Sequence, residues 1–347
     1  MRIGALKESY RADHALFDTP TQRVWLALGA LALVAFPFLA SDYWLFMACL
    51  VGIHVIATTG LNILTGFTGL VSLGQAAFMG VGAYAAGFLE IRFGTPLFLN
   101  LMAAGLTSAA VGVVVGVPSL RVKGLYLAIA TIAASFLLHF VFQNWTAATG
   151  GTRGLSIPPA RLFGVELARP QQLYWVIAPI AIVATLAAAN LFRTRWGRAF
   201  IAVRDRDISA EVLGIPLLRT KLMSFALSSF YAGVAGGLWA YFFRVVTPES
   251  FPFVYSIFFL AAVIVGGMGT ILGGVLGAVF MTLTPEALKA IVGWLTPVLP
   301  NAVALLAPVR TIVFGLLIIG FLIFEPHGLA EIWRRVRRFF HLWPFRT

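Results

Sequence analysis

The 347 residues are 60% hydrophobic and only 11% charged, a balance that excludes an ordinary soluble globular domain and points to a polytopic membrane protein. Lys and Arg outnumber Asp and Glu by 25 to 13, giving a net charge of +12, but the arginines sit at the ends of apolar runs, so membrane topology rather than nucleic-acid binding explains the excess. The single cysteine, Cys49, lies inside an apolar run and excludes a disulfide framework or a cysteine-based metal site.

Runs of about twenty apolar residues cross a bilayer as helices because a helix satisfies its own backbone polar groups. Ten such runs are predicted, at 24–40, 43–65, 69–90, 98–118, 124–145, 172–192, 220–243, 253–268, 270–284 and 305–324. The expected fold is an all-α polytopic membrane protein of about ten transmembrane helices. A polar segment, 1–23, precedes the first run, so that run is expected to be retained rather than cleaved as a signal peptide. The transmembrane domain then occupies 24–324, and 325–347 forms a tail. With the N-terminus inside, the inner segments are 1–23, the Arg121/Lys123 turn, 193–219 with adjacent Lys221, a tight turn near 269, and the tail. They hold 18 of the 25 Lys and Arg, which favours an even number of crossings with both termini cytoplasmic.

The second and third runs carry the densest small-residue pattern, GLNILTGFTGLVSLGQAAFMGVGAYAAG from Gly60. Glycine and alanine there let helix backbones approach closely. Asn62, Thr65, Thr68, Ser72 and Gln75 add hydrogen-bonding groups at membrane depth. Two readings stand: ordinary helix packing with satisfied polar side chains, or a glycine-broken segment beside a translocation path lined by Asn62, Thr65, Ser72 and Gln75. A related pattern, GGMGTILGGVLGAVF, recurs from Gly266. Gly66, Gly69 and Gly74 match Gly266, Gly269 and Gly274 at a constant offset, a weak sign of an internal repeat, and these six glycines are candidate packing or hinge positions. The chain near 66–74 and 266–274 is expected to be broken or re-entrant.

The longest outer segment follows Asn144 and is either a cap at the mouth of a path or a plain connection. The stretch 193–221 is the long charged segment between two apolar runs, with seven Lys/Arg and three acids. Its middle has helical spacing, with Gly214 and Pro216 as stop signals. It is either a short amphipathic helix that docks onto a soluble partner or a solvated loop. Segment 285–304 is punctuated by Pro285, Pro297 and Pro300 and is expected at the interface. The basic, aromatic tail from Glu331 is expected to anchor against anionic lipid.

Little in the chain supports intrinsic chemistry. GxxxxGK[ST], HExxH and CxxC are absent from the sequence. His54 and His139 are the two histidines within runs, and neither has a second histidine at ligand spacing. A lone buried histidine is more often a satisfied packing residue, though either remains a secondary functional candidate. No Asp or Glu falls near the middle of a run; Glu90 and Glu286 lie at ends. That argues against proton- or sodium-coupled transport and against an intramembrane hydrolase. If the chain transports actively, its energy comes from another chain.

Several blocks in order carry a resemblance: GLNILTGFTGLVSLGQAAFMGVGAY (60–84), GLYLAIATIA (124–133), NWTAATGGTRGLSIP (144–158), GRAFIAVRDRDISAEVLGI (197–215), AGVAGGLWA (232–240), TPESF (247–251) and GGMGTILGGVLGA (266–278). Over roughly 45–330 the chain resembles the LivM-type permease subunit of bacterial branched-chain amino-acid ABC importers. The resemblance implies a type II ABC-importer-like permease in the bacterial inner membrane, not itself an enzyme. It implies a LivH-like sister permease, two cytoplasmic ATPases of the LivG and LivF kind, and a periplasmic substrate-binding protein. The chain itself is expected to bind no cofactor, ATP and magnesium being used by the partner ATPases. The 193–219 loop is similar in role to a coupling helix, which would put Gly197, Arg198, Arg204, Ala210, Glu211 and Gly214 in a cleft of an ATPase.

Two positions depart from the family pattern. Arg153 stands where an acid often follows TGG-T, which bears on the outer mouth, and Glu325-Pro326-His327-Gly328 replaces a common R-P-x-G. The family also includes permeases for urea, short amides and aromatic acids, so the cargo stays open. An ATP-independent facilitator or channel, and a structural subunit with no path, are the readings from other classes.

Overall fold

A computed structural model describes residues 20–119, 124–162, 165–295, 306–325 and 327–342. The N-terminal segment before Pro20, the Arg121/Lys123 turn, Pro297, Pro300, Pro326 and the tail beyond Leu342 lie outside the described residues. Each of the ten apolar runs contributes a helix. In chain order these are α1 (Pro20–Leu39), α2 (Asp42–Asn62), α3 (Gln75–Phe93), α4 (Leu97–Ser119), α5 (Leu125–Asn144), α6 (Pro170–Leu191), then two short helices α7 (Arg195–Asp205) and α8 (Asp207–Val212), and α9 (Leu217–Phe243), α10 (Phe253–Gly266), α11 (Ile271–Leu295) and α12 (Leu306–Phe324). A final helix, α13 (Gly328–Leu342), follows. Among the described residues, seven helical segments are long and apolar enough to cross a membrane: Asp42–Phe67, Leu97–Ser119, Tyr126–Asn144, Pro170–Leu191, Leu217–Phe243, Pro248–Gly266 and Ile271–Ala290.

The boundaries have local causes. Pro170 opens α6, where its missing N–H costs nothing. The Gln172 side chain accepts from the Ala168 and Arg169 amides at 2.9 and 3.1 Å. Gly94, at φ +58°, ends α3 in the left-handed conformation. α11 runs through Pro285 to Leu295, farther than the predicted end at 284. Proline removes one backbone bond there, and the apolar run on both sides keeps the helix in register.

Helix α9 is the centre of the bundle and packs against α2, α3 and α4. Glycine makes this possible: a side chain on Gly236 would run into the Met79 carbonyl of α3, and one on Gly233 into the Ala104 carbonyl of α4. Tyr241 of α9, Asn100 of α4 and Glu90 of α3 are tied together near the C-terminal ends of α3 and α9, Asn100 Nδ2 and the Tyr241 hydroxyl each donating to Glu90 Oε2 at 2.8 Å.

The two ends of the bundle differ. At one end the chain after α5 forms a helical turn, Thr146–Thr149, and small strands. β1 (Leu155–Ser156) pairs antiparallel with β4 (Val245–Val246), and β2 (Ala160–Leu162) with β3 (Val165–Leu167). Arg244, which closes α9 at φ +58°, donates to the Ala168 carbonyl at 2.9 Å. The longest predicted outer loop is therefore structured, as a helical turn and short paired strands. At the other end lie α7, α8, the break between α2 and α3, and the turn between α10 and α11.

Candidate functional site: a glycine joint beneath a charged loop

The α2–α3 junction is broken. A π-helical turn, Ile63–Phe67, continues α2, and residues 69–74 are non-helical before α3 starts at Gln75, so the helix begins six residues later than the predicted run at 69. Gly69 takes φ +74°, which only glycine adopts freely. Backbone released inside a membrane protein needs new partners. Hydroxyls supply them: Leu73 N donates to Thr131 Oγ1 at 3.0 Å, Ser135 Oγ to the Leu73 carbonyl at 3.3 Å, and Ala76 N to Ser256 Oγ at 3.0 Å. Three side chains from α5 and α10 thus cap the start of α3. A cavity of about 170 Å³ adjoins it, lined among others by Ala76, Ala77, Ser135, His139 and Ser256.

The predicted path residues are brought together but turned onto backbone. Asn62, Thr65, Ser72 and Gln75 are each at most 6% exposed. Asn62 Nδ2 donates to the Thr270 carbonyl at 2.7 Å, and its Oδ1 accepts from Gly269 N at 3.0 Å. Thr65 Oγ1 donates to the Leu70 carbonyl at 3.1 Å. Ser72 Oγ accepts from Gly74 N at 3.3 Å. Gln75 Nε2 donates to the Ala57 carbonyl at 2.8 Å, and its Oε1 accepts from Ser228. These side chains fasten the break, a role that single-sequence spacing does not separate from lining a path.

The two glycine motifs meet. A side chain on Gly66 would strike both the Asn62 side chain and Gly269 N. Gly274 faces Thr59 and Asn62, and Gly266 lies against Gly273 and Gly277 of α11. Gly267 and Gly269 hold φ +118° and +73° in the turn between α10 and α11. Gly74 precedes α3 against the Phe78 ring.

Arg204 of α7 reaches into this joint. Its Nη1 donates to the Gly66 carbonyl at 3.1 Å, and a Cβ on Gly269 would lie 2.7 Å from the same nitrogen. Its Nε and Nη2 both donate to Asp205 Oδ1 at 3.1 Å, which fixes the guanidinium's plane. A cleft of about 220 Å³ beside it is lined by Thr68, Gly69, Gly124, Arg206, Asp207 and Lys221, among others. Lys221 lies 3.6 Å from Asp207.

The loop is two helices rather than the single amphipathic helix expected. Arg206, extended at φ −157°, ψ 105°, separates α7 from α8, and Asp207 starts α8 with an acid in its first turn, where the helix dipole favours it. Gly197 is buried where any side chain would meet the Phe192 backbone, and Ala210 is buried under α8. Both shape the loop from within. Arg198 is exposed and bonds the Arg193 carbonyl at 3.0 Å, Glu211 is exposed, and Gly214, at φ +85°, turns the chain out of α8. Three large apolar side chains also turn outward that the sequence argument did not single out as contacts: Ile208, Val212 and Leu213, exposed by 71, 83 and 80%. The four-residue spacing of Ile208 and Val212, which puts them on one helix face, was the available signal, with Leu213 following at the helix end.

Of the two histidines within runs, His54 is satisfied. Its Nδ1 pairs with Thr282 Oγ1 at 2.7 Å and its Nε2 with the Tyr255 hydroxyl, amid Trp239, Phe258 and Phe259. It joins α2 to α10 and α11. His139 contacts Gln143 at 3.1 Å on α5 and borders the cavity at α3. Among the described residues no cluster of His, Cys, Asp and Glu is arranged to hold a metal ion.

A family profile described as "Branched-chain amino acid transport system / permease component" matches residues 43–322. The chain belongs to this permease family. It is 34% identical over 296 residues to the high-affinity branched-chain amino acid transport permease LivM of Salmonella typhimurium, covering 78% of this chain and 70% of that protein. It is 33% identical to the Escherichia coli LivM with the same coverage. A LivH permease of Escherichia coli matches at 24% identity over 68% of this chain and 82% of its own length. No solved structure matches. Like these relatives, this LivM-family chain is a multi-pass membrane transport component, not an enzyme.

Proposed function

We propose that this chain is one of two permease subunits of an ABC importer for branched-chain amino acids in the bacterial inner membrane. It would pair with a LivH-like subunit, two cytoplasmic ATPases and a periplasmic binding protein, with ATP and magnesium handled by the ATPases. All ten apolar helices cross, both termini lie in the cytoplasm, and the architecture is of the type II importer kind, with 24–324 as the permease domain and 193–219 as its coupling loop. The observation that carries this reading is the α7–α8 loop. It offers an exposed apolar tip, Ile208, Val212 and Leu213, on an otherwise charged segment, and its Arg204 sits in the joint between the two glycine motifs. An ATPase that grips the tip pulls on α7, and Arg204 passes the displacement to both broken segments. Gly197, Ala210 and Gly214 set the loop's shape, and Arg198 and Glu211 flank the tip.

The path would run past the cavity at the start of α3, where the positive helix end and the hydroxyls of Ser135 and Ser256 suit the carboxylate of an amino acid. Asn62, Thr65, Ser72 and Gln75 act as fasteners of the moving break rather than as contacts for the cargo. Reconstitution tests the reading. The complete complex should take up branched-chain amino acids only with ATP and binding protein, and this chain alone should pass none. ATP-free flux through the chain alone would instead make it a facilitator, and uptake of urea or an aromatic acid in place of leucine would keep the machine and change the cargo.

A further inference from the structure

Helix α13 divides cleanly into two faces. Leu329, Ile332, Trp333, Val336 and Phe339 fall on one stripe, and Arg334, Arg335, Arg337 and Arg338 occupy the opposite arc. Ile332, Trp333, Val336 and Phe339 are exposed. Two of the arginines are partly neutralised: Arg334 pairs with Glu331 at 2.9 Å and Arg335 with Glu325 at 3.0 Å. The ion pairs among the described residues leave Arg337 and Arg338 out. An apolar stripe with a strongly basic opposite face is the signature of a helix lying in a membrane interface.

The position of the helix fits. It follows α12 directly and bends from it by 47°. Its first residues press on the turn between α10 and α11, where a Cβ on Gly267 would lie 2.6 Å from the His327 carbonyl and 3.2 Å from Ala330 Cβ. Two residues farther along, the same turn meets Arg204 through Gly269. So α13 begins on one side of a turn whose other side receives the loop, at the basic end of the molecule. A surface at that end with complementary charge and an apolar interior is the bilayer itself.

We propose that α13 is a binding face for the anionic headgroups of the adjacent bilayer, and that lipid held there steadies the 267–270 turn and hence the seat of Arg204. The basic arc contacts phosphates, and the stripe from Ile332 to Phe339 enters the boundary between headgroups and acyl chains.

Hydrogen exchange on the full-length protein tests it, in lipid nanodiscs of phosphatidylcholine alone or with phosphatidylglycerol added. Anionic discs should slow exchange in 329–342 and in 267–270. Each surface arginine contributes about fivefold to anionic binding, so Arg337→Gln/Arg338→Gln should remove up to roughly 25-fold of the slowing. Arg337→Lys/Arg338→Lys should retain most of it. Equal exchange in the two lipids would overturn the proposal. So would slowing that inorganic phosphate reproduces in neutral discs, slowing that leaves 267–270 unaffected, or protection that appears only when ATPase subunits co-purify, which would make α13 a protein-docking face.

Discussion

The two glycine motifs share a spacing and differ in what they build. At 66–74 the chain opens into a stretch without helix, and hydroxyls from α5 and α10 complete the start of α3. At 266–274 it makes a tight turn between two antiparallel helices, closed by the Thr270 hydroxyl and by Asn62 from α2. The first break depends on neighbouring helices and so can rearrange when they shift. The second is held from outside its two helices, by Arg204 on one side and the start of α13 on the other. Identical residue types therefore build a segment completed by its neighbours, the soft segment, and a closed turn, the grip, and the two are pressed together.

The largest effect is expected at the grip. Gly269→Val forces a branched side chain into a left-handed conformation and against Arg204; overpacking alone costs about 1–3 kcal/mol, and the backbone adds to it. The expected result is a large fall in the yield and melting temperature of the purified protein. Next comes Asn62→Leu, which leaves the Gly269 N–H and Thr270 carbonyl without their buried partner. A cost of about 2–3 kcal/mol is expected, seen as a lower melting temperature in detergent. Arg204→Ala should leave stability nearly unchanged and lower ATP-driven uptake at least tenfold, with stimulated ATP hydrolysis measured alongside to show that the two have separated. The smallest effect belongs to the soft segment: Thr131→Val removes one hydroxyl bond to Leu73, worth about 1 kcal/mol. If Thr131→Val proved as damaging as Gly269→Val, the contrast between the two breaks would be wrong.

Much of the fold was legible because lipid leaves a chain few choices. Apolar runs must become helices, and the ten runs did so, with α11 outrunning its predicted end because one proline removes only one bond. The glycine-rich stretches were legible as breaks, since Gly69, Gly267 and Gly269 hold conformations other residues avoid. That the motifs touch was not legible. Contact between residues 200 positions apart depends on how α2 and α10 pack, and nothing local encodes it. The same limit applies to Asn62 and Gln75: a polar side chain at membrane depth fastens backbone or faces a path with the same spacing. In the loop, helical periodicity was visible, but the break at Arg206 and the outward turn of Ile208, Val212 and Leu213 follow from how α7 lies on the joint.

The central claim is that this loop is where an ATPase grips the permease. The direct measurement is purification of the membrane complex through a tag on this chain, comparing the native protein with Val212→Glu/Leu213→Glu and with Gly214→Pro, which cannot take the φ of +85° at that turn. Native protein should bring down a second permease and two P-loop ATPases. Both variants should keep the permease and lose the ATPases, because two charged residues in a desolvated contact cost on the order of 2 kcal/mol or more. Variants that retained their ATPases and transported normally would contradict the account.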